Sequence, residues 1–158
     1  MRILLDGENW KTTDSEGLTA LHLSVQQGHI STVRLVLENG ASLEGQSSEG
    51  LTVLHLAAKD GDTEMIQLPL DNGAKSHLEA LDGEDKTPLC WAISDYKLET
   101  VKCLLDAGGN INASPKWPAM YAAAYYGQVS IMEELLNRGF DKETWEAFRQ
   151  NKSTPLHA

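Results

Sequence analysis

Residues 17–28 read GLTALHLSVQQG, and residues 50–61 read GLTVLHLAAKDG. They are one phrase written twice, 33 residues apart. A third copy, DKTPLCWAISDY, spans Asp85 to Tyr96, 35 residues further along. A looser one, KWPAMYAAAYYG, runs from Lys116 to Gly127, and KSTPLHA opens a last copy at Lys152. Self-similarity at a period of this size marks a chain of stacked units, each too small to bury its own apolar face.

A second phrase follows each copy. It reads VRLVLENGA from Val33, IQLPLDNGA from Ile66, VKCLLDAGG from Val101 and MEELLNRGF from Met132. The closing Gly40, Gly73, Gly108 and Gly139 stand where a helix ends in a left-handed residue, which glycine adopts without a Cβ clash. The unit is therefore helix, turn, helix, loop. The recurring apolar positions predict that Leu21, Leu35, Leu54, Ile66, Leu89, Leu104 and Leu135 are buried. Cys103 shares its position with Leu35 and Leu68 and is read as a small inward hydrophobe. Pro69 stands where the other units have Val36, Leu104 and Leu135, and predicts a kinked or shortened helix. Two extra residues are expected around Ala80 to Lys86. Thr144 could cap a short helix carrying Trp145 and Phe148.

The period of 33 with G-x-T-x-L-H resembles the ankyrin repeat, over nearly all of the chain. The first two copies match well, the third at Thr87, Pro88 and Leu89, and the fourth is degenerate. The resemblance implies an all-α solenoid with repeats at about 13–45, 46–79, 80–112 and 113–143 and partial units at 1–12 and 144–158. The opening Ile3-Leu4-Leu5-Asp6-Gly7 and the closing Thr154-Pro155-Leu156-His157-Ala158 read as cut units, so a fragment of a longer array is expected.

In this family the threonine and histidine of the phrase tie the turn together, which assigns Thr19, Thr52 and Thr154 with His22, His55 and His157 to structure. Cys90 and Tyr121 fill the histidine slot in the other copies, a variation no shared metal or catalytic role would tolerate. The family's partner-facing positions are the loop tips and the two first-helix residues before the turn glycine. They map to Ser15, Glu16, Leu18, Gln26 and Gln27, then to Ser48, Glu49, Leu51, Lys59 and Asp60. In the third repeat they are Lys86, Ser94 and Asp95, and in the fourth Trp117, Tyr125 and Tyr126. That face passes from polar to aromatic, and aromatic anchors dominate interface energetics.

Composition narrows the function. Hydrophobic residues at 41% and charged residues at 23% belong to a globular chain. A formal net charge of −10 repels phosphate backbones, so nucleic acid is excluded as a partner. No stretch approaches the roughly 20 apolar residues that span a bilayer. Asp6 and Glu8 interrupt any signal-peptide core. Two cysteines, Cys90 and Cys103, suit a reducing, intracellular setting, and the cytoplasm is expected. No nucleophile elbow, phosphate loop or metal-ligand spacing is present, so neither an enzyme nor a cofactor is implied. The expected function is non-enzymatic protein recognition by a monomer; the alternatives are a regulatory or targeting arm of a larger enzyme and a passive spacer.

Overall fold

A computed structural model of the chain describes residues 9–140 together with 142, 143, 146 and 150. The apolar opening at Ile3, the cap at Thr144 with Trp145 and Phe148, and the copy starting at Lys152 lie outside the described residues.

The two phrases fold into paired helices. The first phrase gives α1 (Ala20–Gln26), α3 (Val53–Asp60), α5 (Pro88–Ser94) and α7 (Ala119–Tyr125). The second gives α2 (Ile30–Glu38), α4 (Thr63–Asp71), α6 (Leu98–Asp106) and α8 (Val129–Asn137). Among the described residues there is no strand. Each first helix packs on the next first helix and on its own partner, and each second helix on the next second helix. The result is a two-layered stack, all-α, with one continuous core running along it.

That core holds Leu21, Leu54, Ile66, Leu89, Leu104 and Leu135, each at most 3% exposed. Leu35, expected with them, is instead 53% exposed. The inward stripe of α2 is Val33 and Val36, three residues apart, and Leu35 falls about 200° around the helix from Val33. The same position leaves Leu68 and Cys103 partly buried, packed against the edge of the core and not within it. Pro69 does not shorten α4, which keeps the nine residues of α2, α6 and α8. Pro69 sits two residues from the helix end, so its missing N–H affects only the Met65 carbonyl. Asn72 closes the last turn, donating its backbone N–H to the Leu68 and Pro69 carbonyls and its side-chain amide to Leu68 at 2.8 Å.

The two extra residues of the third copy are not at Ala80 to Lys86 either. Asp82 and Thr87 have the spacing of Ser47 and Thr52, so the surplus lies between Gly73 and Asp82. A 3-10 turn over Ala74–His77 takes it up.

Candidate functional site

The loops between units are built by one short device. Asp14 Oδ1 accepts from the backbone N–H groups of Glu16 and Leu18, both at 2.9 Å. Ser47 Oγ does the same for Glu49 and Leu51, and Asp82 Oδ1 for Glu84 and Lys86. Side-chain oxygens bonding backbone two and four residues ahead fold each loop into a projecting finger. Neighbouring fingers are then laced together. Ser48 N–H donates to the Glu16 carbonyl at 2.8 Å, Gly83 N–H to Glu49 at 2.7 Å, and Ser114 Oγ to Asp85 at 2.6 Å.

The slot after each finger is a buried polar station. Thr52 donates its N–H to His55 Nδ1 at 3.1 Å, and the Oγ1 lies 2.9 Å from the same nitrogen. Nδ1 is thus the acceptor, and the opposite Nε2–H donates across the unit boundary to the Lys86 carbonyl at 3.0 Å. Thr19 and His22 repeat the intra-unit half of this arrangement at 3.3 and 2.8 Å. Cys90 substitutes in the third unit: its thiol receives Thr87 Oγ1–H at 3.3 Å and donates to the Trp117 carbonyl at 3.0 Å. Burial pushes His22 and His55 below the ordinary imidazole range, the Gly45 and Leu51 carbonyls opposing it at one and Lys86 and Asp82 at the other. Burial likewise pushes the Cys90 thiol up, which favours the protonated thiol over the thiolate.

The first-helix layer and the fingers line one side of the stack. A cleft of about 360 Å³ lies between Gln26, Leu56, Lys59, Asp60 and Trp91. A second shares Lys59 and Trp91 and adds Lys86, Ser94, Asp95 and Tyr126. A third runs from Trp91 to Glu49 and Glu84 under the fingers. These clefts merge into one groove with Trp91 at its centre. The groove and its rim thus gather Gln26, Glu49, Lys59, Asp60, Lys86, Ser94, Asp95 and Tyr126. Ser15, Glu16, Gln27 and Ser48 are exposed on the fingers and turn of the first units. Leu18 is corrected: at 5% exposure it belongs to the core beneath its finger, while Leu51, 9% exposed, lines the cleft under the fingers. An apolar residue at the base of a finger is covered by its own loop.

At the far end of the groove the rings form a chain. Trp117 contacts Tyr125 edge-on at 6.1 Å and Tyr121 at 5.7 Å. Tyr125 stacks on buried Tyr121 at 6.2 Å and meets Tyr126 edge-on at 5.1 Å. Tyr126 meets Tyr96 at 6.3 Å, and Tyr96 Oη–H donates to the Tyr126 carbonyl at 3.2 Å. Tyr125 and Tyr96 are 58% and 64% exposed.

Sequence reasoning missed Trp91 and Tyr96. Trp91 lies one residue past the histidine slot, where Leu23, Leu56 and Ala122 gave no hint of a groove residue. The indole N–H is held by Asp82 Oδ2 at 2.8 Å, and the Lys59 ammonium lies 5.8 Å above the ring. Tyr96 carried a signal in the alignment of copies: it replaces Gly28, Gly61 and Gly127, and like them has a positive φ, here 61°.

Comparison with known proteins agrees with this architecture. The sequence matches the profile for ankyrin repeats (3 copies) over residues 1–80, 39–114 and 61–146.

The chain belongs to the ankyrin repeat family.

It is also 37% identical over 127 residues to the transient receptor potential cation channel subfamily A member 1 homolog of Caenorhabditis elegans. The match takes in 80% of this chain and 8% of that protein. Ankyrin repeats generally mediate protein–protein interaction and are generally non-catalytic. No helix among the described residues is long and apolar enough to cross a membrane.

Proposed function

We propose that this ankyrin array is a non-enzymatic recognition module that binds a protein partner through the groove of its first-helix layer and its finger tips. The observation carrying this is the aromatic chain from Trp117 through Tyr125 and Tyr126 to Tyr96, in which Trp117 and Tyr126 are partly buried and Tyr125 and Tyr96 face solvent. Solvent-facing tyrosines offer broad contact area with few rotors to freeze, and interfaces favour them for that reason. Nothing in the stacking demands them, since the first two units hold Gln26, Gln27, Lys59 and Asp60 at the positions of Tyr125 and Tyr126. The test is affinity capture from the source cell with quantitative comparison of three baits. Wild type and an outer-layer variant, Glu38→Lys, should retain the same partner, and Tyr125→Ala/Tyr126→Ala should lose it by about 2 kcal/mol or more at an unchanged melting temperature. Retention by all three baits would place recognition elsewhere.

A second reading rests on the similarity to a much longer channel homolog, in which the matching segment is a small part. On that reading the array is one arm of a larger protein and the groove engages another part of the same chain. Immunoblotting the endogenous product against the mass of this chain, 17.3 kDa, separates the two.

A further inference from the structure

The groove's own cations are already engaged. The Lys86 ammonium pairs with Glu84 at 2.7 Å and sits 5.1 Å from the Trp117 ring. Lys59 lies over Trp91. Lys116 at the finger base pairs with Asp85 at 2.5 Å. The acids tell a different story. Among the described residues Glu49, Asp60 and Asp95 form no ion pair, although all three line the groove. Beside them stand the tyrosines, whose ring faces carry negative potential and receive no lysine. Both tryptophans of the groove already seat an ammonium group, so the surface accepts cations where the chain supplies them. A net charge of −10 attracts a basic ligand from a distance.

Tyr96 sharpens the assignment. A left-handed backbone is strained for a non-glycine residue, and the three equivalent turns avoid it with glycine. The strain holds a large ring 64% in solvent at the lip of the groove, next to Asp95. A core residue would not need that exposure.

We infer that the groove takes a basic segment of a partner protein, whose arginine or lysine side chains lie on Tyr96 and Tyr125 and pair with Asp95, Asp60 and Glu49. This rests on the recognition reading above and names the chemistry of the partner.

Selection of a displayed library of random linear 12-residue peptides on the folded chain, at 150 mM salt, tests it. Each recovered peptide is remeasured against Tyr96→Gly, Tyr125→Ala, Asp60→Lys/Asp95→Lys and the outer-layer control Glu38→Lys. Tyr96→Gly keeps a testable fold, because glycine is the residue the other turns use there. The expected result is enrichment of arginine and lysine, with binding weakened tenfold or more by Tyr96→Gly, Tyr125→Ala and the double reversal and unchanged by Glu38→Lys. Neutral or acidic peptides that depend on the same residues overturn the basic partner and leave groove recognition standing. Basic peptides weakened equally by Glu38→Lys reduce the effect to bulk charge and overturn the assignment. Failure to recover any peptide that depends on the groove overturns both readings.

Discussion

His22 and His55 fill the same slot, and His55 shows how that slot can serve two neighbouring units at once. Each is neutral by burial, and His55 spends both nitrogens on structure, one toward Thr52 and one toward Lys86. Because the folded imidazoles titrate below the unfolded value, the folded state binds fewer protons at mildly acid pH. Their stabilising contribution is therefore complete above the unfolded value near 6.5 and is lost as pH falls toward and through the lower folded values. Urea denaturation between pH 7.5 and 5 should show stability falling with a slope of up to about 1.4 kcal/mol per pH unit for each histidine. His55→Gln should lower the plateau and remove its share of the slope; an unchanged slope would mean that carboxylates dominate. Tyr96 makes the opposite kind of prediction. Tyr96→Gly relieves the positive φ and should raise stability by about 1 kcal/mol, read from the denaturation midpoint. A loss would show that the ring contact with Tyr126 outweighs the strain.

Helix periodicity separates two leucines that look alike in the sequence. Leu104→Ala, on the inward stripe of α6, should cost about 2–5 kcal/mol, while Leu35→Ala on the outer side of α2 should cost under about 1 kcal/mol. Equal costs in chemical denaturation would contradict the facing assigned to α2. Pro69→Leu should still raise the melting temperature, since Val36, Leu104 and Leu135 fill the equivalent places and the Met65 carbonyl regains its donor. A fall would mean that the buried site is shaped to proline. The helix pairs, their glycine ends and the threonine–histidine stations were legible in the sequence because each recurs in register. The inward side of the second helix was less so: Val33, Leu35, Val36 and Leu37 are all apolar, and a short helix does not say which stripe faces in. Half of the groove was legible too. Leu18 was misplaced because a loop position in sequence lies under its own finger in space. Trp91 was missed because the groove exists only once neighbouring units stack.

At the scale of the molecule, among the described residues, the hydrogen bonds and main helix contacts that join units run between neighbours. Outer-layer ion pairs such as Arg34 with Glu64 and Arg138 with Asp106 add little, being exposed. Cohesion comes from the shared core and from the buried stations, and the stations are not alike. The first two units use imidazole, and the next two use Cys90 and Tyr121, neither of which gains a proton in mild acid. The stack therefore has a direction. Among the described units, acidification should weaken those at the Leu21 end more than those that bear Trp117 and Tyr125. Hydrogen exchange at pH 5 against pH 7.5 should show α1 to α4 losing protection first and α7 and α8 last; a uniform loss would show that the core couples the units too tightly for any such polarity. The surface proposed to hold a partner would then outlast the opposite end of the described stack.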